Sequence, residues 1–181
     1  MDSRGIVAAS MTPDGVVAVI ADLSAPMTSD AWASAAVRLA ADTGASEISI
    51  EGFAARETYT RVVTEALRGH RTPHPIKVSS WPPKGSGRGG GDAMARSSAL
   101  LQAVEVGTCR IAGHLPDFEN QAMTWQQGQH QPDALAALAV AHDFLVHAAG
   151  QSWTFAVPGS INRGDRAGIA SMSDYLRRRV V

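Results

Sequence analysis

Residues 5–22 read GIVAASMTPDGVVAVIAD, and this stretch does most to decide the fold. It holds two apolar runs of strand length, residues 5–11 and 16–21, on either side of the tetrapeptide TPDG. An Asp-Gly pair preceded by proline favours a tight turn, because proline fixes one backbone angle and glycine tolerates a positive φ. The stretch therefore predicts a β-hairpin at the start of this sequence.

Helical and extended patterns alternate after the hairpin. Some segments repeat apolar residues at helical spacing, whereas others are short apolar runs of strand length. A hairpin followed by alternating strands and helices predicts an α/β fold with a mixed β-sheet flanked by helices. We expect one domain over residues 1–150 and a polar, partly disordered tail over 151–181. Beyond the hairpin we predict helix 30–43, strand 47–51, helix 56–68, strand 75–81, helix 92–105, short strand 108–112, and helices 116–125 and 132–149.

The composition is that of an ordinary globular protein, with 45% hydrophobic residues, 18% charged residues and a net charge of −1. No apolar run approaches the roughly 18 residues that a membrane span needs, so no membrane partner is expected. Cys109 is the only cysteine, which excludes an intrachain disulfide and a thiolate metal cluster. These features favour a cytoplasmic setting.

Basic residues concentrate in one part of the chain. Residues 54–96 hold eight Lys or Arg against three Asp or Glu, although the whole chain is slightly acidic. Within this region the segment PPKGSGRGGG at 82–91 carries Lys84 and Arg88, and Arg96 follows on the next predicted helix. Such a stretch suits a polyanion held beside acidic residues. The alternative is a solvated loop with an uneven charge.

Two carboxylates lie at the ends of rigid elements. Glu51 ends the apolar run 48–50, and Asp133 opens the long helix 132–149. Two carboxylates on separate rigid elements are what a divalent-cation site needs. The alternatives are an exposed strand-end Glu51, and an Asp133 that only stabilises the first turn of its helix through the helix dipole.

Several short motifs occur in an order that belongs to a known family. They are GIV at 5–7 with ADLS at 21–24, ISIE at 48–51, DAMAR at 92–96 with EVG at 105–107 and CRI at 109–111, and FENQ at 118–121 followed by PDALAAL at 132–138. In this order and spacing, residues 4–148 resemble the C-terminal nuclease domain of phage terminase large subunits, the DNA-packaging enzymes of tailed phages. The resemblance implies a ribonuclease H-like fold.

The resemblance also implies a function. It implies an endonuclease that cuts double-stranded phage DNA with two Mg²⁺ or Mn²⁺ ions during genome packaging. Glu51 and Asp133 match two catalytic, metal-binding acids of the family, and Asp22 is a third or supporting ligand whose alternative role is to cap the following turn. The implied partners are double-stranded DNA, a packaging ATPase domain, the small terminase subunit and the portal, in the cytoplasm of the bacterial host. The residues expected to contact DNA phosphates are Lys84, Arg88 and Arg96.

The chain also departs from the family. The family's central strand carries its first catalytic Asp and comes just before the segment matched by Gly5, yet only four residues precede Gly5 here. The G-x-x-x-x-G-K-[ST] motif of the packaging ATPase does not occur. We therefore expect a fold without its central strand, with free strand edges that residues 153–157 or another chain could cover. We also expect weak cation binding and little DNA cleavage by this chain alone.

Two other functions stay open on the sequence. One is a catalytically silent DNA- or partner-binding assembly module that uses the basic segment. The other is a small-molecule α/β enzyme that binds a phosphate with the glycine loop at 85–91. The second lacks the strand–loop–helix fingerprint that phosphate loops share.

Overall fold

The computed structural model describes residues 3–52, 55–84, 93–126 and 128–150. Every helix and strand that the sequence predicts between residues 5 and 150 is present, with ends shifted by no more than two residues where they are described. The elements are β1 Ser3–Arg4, β2 Val7–Met11, β3 Val17–Asp22, β4 Ala25–Pro26, α1 Ser29–Thr43, β5 Glu47–Glu51, α2 Arg56–Gly69, β6 Lys77–Trp81, α3 Ala93–Val106, β7 Cys109–Ile111, α4 Pro116–Thr124 and α5 Asp133–Gly150.

The predicted hairpin is confirmed. β2 and β3 pair antiparallel, with Val7 opposite Asp22 and Met11 opposite Val17. The turn between them is closed by a hydrogen bond from Gly15 N to Thr12 O at 2.9 Å. Gly15 has a φ of 84°, which favours glycine because a Cβ crowds the backbone there.

Helix α1 begins and ends at the signals that the sequence provides. The Thr28 hydroxyl accepts a hydrogen bond from Ala31 N at 3.3 Å, which satisfies one of the free amides of the first turn. Gly44 ends the helix in the left-handed conformation, with a φ of 72°. Between these caps, Ala33, Val37 and Ala40 recur at helical spacing and are buried.

The strands form three sheets rather than one. β3 pairs antiparallel with β2 and parallel with β7, which gives a mixed sheet in the order β2-β3-β7. β5 and β6 form a separate parallel pair, and β1 pairs antiparallel with β4. The α/β fold with a mixed sheet is thus confirmed, but the sheet is not continuous. Within the described ranges, β2 and β5 each lack a strand partner along one edge, and the predicted covering segment 153–157 lies outside those ranges.

Helix α5 joins the two larger sheets. Its Leu135 and Leu138 are buried in a core with Val17 and Val19 of β3. It also reaches the β5–β6 pair, where Trp81 packs edge-on against Phe144 with ring centroids 5.4 Å apart. Within the described ranges, no strand hydrogen bonds join the β2-β3-β7 sheet to the β5–β6 pair. Helix α5 packs against both and holds them together.

The β5–β6 pair has an apolar face and a polar face. Ile50 is buried with Val63 of α2 and with Ala33 and Val37 of α1. Because successive strand residues point to opposite faces, Glu51 lies on the other face, which is the face toward α5. None of the helices in the described ranges is long and apolar enough to cross a membrane.

Candidate functional site

A cleft of about 230 Å³ opens where β5 and β6 end. One wall is formed by the ends of these two strands, the second by the start of α3 and the third by α5. Its charged and aromatic lining comprises Glu51, Trp81, Arg96 and Asp143, and Ala136 and Val140 supply an apolar part.

Glu51 occupies the mouth of this cleft. It is the last residue of β5, it pairs in register with Trp81 of β6, and it is exposed. An exposed carboxylate at a cleft mouth can take up a cation without a large desolvation cost. This position is compatible with a ligand role.

Asp133 lies close to the cleft but is not part of its lining. It is the first residue of α5, and its side chain is half-buried. With 3.6 residues per turn, Asp133 shares one helix face with Ala136, Val140 and Asp143, which do line the cleft. The backbone carbonyl of Asp133 packs tightly against Gly5. Asp133 is therefore placed about one helical turn beyond the cleft, on the correct face.

Asp22 has a structural partner. Its Oδ1 accepts a hydrogen bond from Ser24 N at 2.9 Å, which is the turn-capping role that the sequence also allowed. Asp22 is absent from the cleft lining. No group of three or more His, Cys, Asp or Glu side chains that could hold a metal ion occurs among the residues that the structure describes. Three converging acids, as the resemblance implies, are not brought together there.

Asp143 is a cleft residue that the sequence analysis missed. Its Oδ2 accepts a 2.6 Å hydrogen bond from Trp81 Nε1, and the Trp81 ring packs edge-on against Phe144 and His147. The signal was faint: Asp143 follows Asp133 by ten residues, which keeps both on one helix face. The contact with Trp81 spans 62 residues, and no local pattern predicts it.

The predicted phosphate contacts differ in position. Arg96 lies in the first turn of α3 and lines the cleft. Lys84 is exposed and follows the end of β6 by three residues. Arg88 lies outside the described residues. Beneath Arg96, Gln131 Nε2 donates a buried 2.7 Å hydrogen bond to Ser97 Oγ, which ties the segment before α5 to α3.

Two groups near these elements have shifted pKa values. Burial lowers the pKa of His142 on α5, and the adjacent Asp143 carboxylate partly offsets this effect. The Nδ1 atom of His142 is buried without a hydrogen-bond partner, so the imidazole is held neutral in the core. Burial raises the pKa of the Cys109 thiol, which disfavours the thiolate and makes Cys109 a core residue rather than a nucleophile.

His142 makes stability dependent on pH. Because its pKa is lower in the folded chain than in the unfolded chain, the unfolded chain binds the proton first as pH falls below about 6.5. We expect the free energy of unfolding to drop there by at most about 1.4 kcal/mol per pH unit from this one group. Urea unfolding between pH 7.5 and 5 measures this slope.

His142→Leu is expected to flatten that slope, since Leu135, Leu138 and Leu145 occupy the same helix face. His130→Gln is the matched control, because His130 is exposed, whereas His114 lies 3.5 Å from the Glu119 carboxylate. A slope that survives His142→Leu unchanged would mean that another group titrates.

Comparison of the chain with protein-family models, with curated proteins and with solved structures gives no match. The chemistry of the cleft is therefore inferred from its own residues.

Proposed function

We propose that this domain is a ribonuclease H-like, divalent-metal-dependent endonuclease that acts on double-stranded DNA, of the kind found in terminase large subunits. The observation that supports this most is the position of Glu51 at the mouth of a cleft whose opposite wall is α5. This helix carries Asp133 at its first residue and Asp143 in the cleft lining. Carboxylates from a strand end and a facing helix therefore border one space.

The donor set suits a hard cation. Carboxylate oxygens on rigid elements favour Mg²⁺ or Mn²⁺ over softer metals. Glu51 and Asp133 are the two residues that would hold such an ion, whereas Asp143 Oδ2 already accepts a hydrogen bond from Trp81 Nε1. When bound, the ion activates water and stabilises the leaving oxygen of a phosphodiester.

The cleft rim suits a polyanionic substrate. Arg96 lines the cleft beside these carboxylates, and Lys84 is exposed near the end of β6. Contacts of this kind neutralise phosphates and give affinity for DNA without reading its sequence. A DNA backbone that lies across the cleft would thus meet both cationic side chains and the candidate metal ligands.

Few carboxylates that could bind a metal ion lie together within the described ranges, so we expect low nuclease activity. Because no group of three metal-binding side chains converges there, we propose that the chain alone binds a cation weakly and nicks plasmid DNA slowly. Cation affinity is therefore a more sensitive measurement than cleavage.

Removal of one carboxylate is expected to weaken cation binding. Glu51→Gln and Asp133→Asn should each lower Mn²⁺ affinity by about tenfold or more, because each loses a charged oxygen ligand without a large change of shape. Isothermal titration calorimetry with Mn²⁺ measures this loss. Glu57→Gln is the matched control, since Glu57 is an exposed first-turn acid of α2 and its loss changes the net charge equally.

Unchanged Mn²⁺ affinity in both Glu51→Gln and Asp133→Asn would overturn the metal site. Robust plasmid cutting by the wild-type chain would instead show that a further carboxylate, beyond these two, completes the site.

A catalytically silent DNA-binding module is the second candidate. The absence of a three-ligand group in the described residues favours it. In that case a Lys84→Ala, Arg96→Ala double variant should bind DNA more weakly. The salt dependence of its DNA affinity should fall by the equivalent of about two phosphate contacts. Mn²⁺ should not change DNA affinity. Fluorescence anisotropy of a labelled duplex at several salt concentrations separates the two functions.

A further inference from the structure

We propose that Arg56 is a positioning residue for the cleft, which fixes Glu51 by clamping the chain segments that follow β5 and β6. The inference rests on the proposed cation site, because it assigns Arg56 a role in that site and not only in folding. Arg56 is the first residue of α2, does not line the cleft and lies outside the motifs that carry the family resemblance.

The clamp is formed by one guanidinium group and two carbonyls. Arg56 Nε and Nη2 both donate to Gly52 O, at 3.1 and 2.9 Å, and Nη2 also donates to Pro82 O at 2.9 Å. Gly52 N in turn donates to Trp81 O at 2.7 Å. The residues that directly follow Glu51 and Trp81 are therefore bound to each other and to one side chain.

The local backbone is adapted to this arrangement. A Cβ at Gly52 would lie 2.5 Å from Arg56 Nη2 and 2.9 Å from Pro82 O, so a side chain at this position would displace the guanidinium. Ala55 precedes Arg56 with a φ of 45°, a conformation that non-glycine residues rarely adopt. This residue directly precedes Arg56, whose guanidinium reaches the carbonyl of Gly52, next to the end of β5.

The same set of hydrogen bonds extends to α5, which forms the far wall of the cleft. Trp81, which is hydrogen-bonded to Gly52, also donates its indole N–H to Asp143 of α5. Arg56 thus belongs to a connected set of contacts that relates Glu51 on the strand end to the carboxylate on the helix. Cation ligands must be held within about 0.5 Å of their productive positions, and a planar, multiply bonded guanidinium provides such rigidity better than a lysine ammonium does.

Removing Arg56 should change Mn²⁺ affinity in opposite directions, depending on whether Arg56 acts through its charge or by positioning Glu51. By charge alone, removing a cation bound to the carbonyl of Gly52, the residue after Glu51, should strengthen binding of Mn²⁺, because a like charge is lost. If Arg56 positions Glu51, its removal should weaken binding, by about tenfold as for other outer-shell residues of metal sites. The sign of the change therefore separates the two roles.

The experiment measures Mn²⁺ affinity by calorimetry and the free energy of unfolding by urea for wild type, Arg56→Ala, Arg56→Lys and Arg61→Ala. Arg61 is the matched control, because it is exposed on the same helix α2. We expect about a tenfold loss of affinity in Arg56→Ala, a smaller loss in Arg56→Lys, and no loss in Arg61→Ala. Guanidinium ion at low, non-denaturing concentration should restore part of the affinity of Arg56→Ala.

Several outcomes would contradict the proposal. Wild-type or higher affinity in folded Arg56→Ala would remove the positioning role, and so would wild-type affinity in Arg56→Lys if Arg56→Ala does not fold. Absence of Mn²⁺ binding in the wild-type chain would instead overturn the proposed cation site, and the positioning role with it.

Gly52→Ala provides an independent check. If it acts by displacing Arg56, the Gly52→Ala, Arg56→Ala double variant should bind Mn²⁺ no more weakly than the weaker single variant, because contacts that act as one unit are not additive. Additive losses would show that Arg56 does not act through Gly52.

Discussion

Gly5→Ala is expected to destabilise the protein more than any other Gly→Ala substitution in the described residues. A Cβ at position 5 would overlap the backbone carbonyl oxygen of Asp133. It would also lie 2.8 Å from the Asp133 carbonyl carbon and 3.0 Å from the Ala137 Cβ. A helix backbone cannot rotate away as a flexible side chain can, so the connection between β1 and β2 would have to move away from α5. We expect a loss of about 3 kcal/mol in the free energy of unfolding, at the upper end of the usual cost of overpacking.

Urea unfolding measures this loss, and Gly69→Ala is the matched control. Gly69 ends α2, and a Cβ there would meet nothing within 4 Å. Because alanine favours a helix over glycine by about 1 kcal/mol, Gly69→Ala should be neutral or slightly stabilising. If Gly5→Ala is as harmless as Gly69→Ala, then the connection between β1 and β2 does not pack against α5 as closely as described.

The Gly5 contact also matters for the cleft, because it fixes the start of α5. Asp133 and Ala137 are the residues that Gly5 approaches, and Asp133 is a proposed cation ligand. A Gly5→Ala chain that still folds should therefore bind Mn²⁺ more weakly, by displacement of the first turn of α5. The effect on binding would accompany the effect on stability.

Local elements could be predicted from the sequence because their signals are local. The TPDG turn needs only Thr12 and Gly15 to close, and α1 needs only Thr28 and Gly44 to begin and end. Each of these interactions joins residues within a few positions, so propensity and spacing were sufficient.

The arrangement of the strands could not be predicted in the same way. The β1–β4 pairing joins two-residue segments, Ser3–Arg4 with Ala25–Pro26, which are too short for an apolar alternation to show. β7 aligns parallel to β3 across about ninety residues of chain, and such a register depends on the packing of α3 and α5. The division into separate sheets depends on what lies beside the free edges of β2 and β5, which local patterns do not contain.

The site was predicted in part. Glu51 was identified because a carboxylate at the end of an apolar strand stands out, and it does border the cleft. Asp133 was identified on its helix, although a residue one turn further along, Ala136, forms the lining. Asp143 was missed because its partner Trp81 lies 62 residues away, where spacing carries no information. Arg56 was missed because its link to Pro82 spans 26 residues, although its other partner, Gly52, is only four residues away.

Trp81 is expected to be the aromatic residue on which the cleft most depends. Its ring packs edge-on against Phe144 and His147 at 5.4 and 5.3 Å, and its indole N–H binds Asp143. Trp81→Ala removes all of these contacts, and we expect a loss of about 3 kcal/mol in the free energy of unfolding, at the lower end for a tryptophan because Trp81 is only half-buried.

The hydrogen bond and the ring make separable contributions. Trp81→Phe keeps an aromatic ring but removes the N–H, so it should cost about 1.5 to 3 kcal/mol, the range for a hydrogen bond to a charged group. A double-mutant cycle of Trp81→Phe with Asp143→Ala, followed by urea unfolding, isolates their coupling, because alanine has no acceptor for the indole N–H. A coupling energy near zero would mean that Asp143 is held by other contacts, and Trp81 would then be only a wall of the cleft. A coupling of more than about 1 kcal/mol would show that the indole holds the α5 carboxylate toward Glu51.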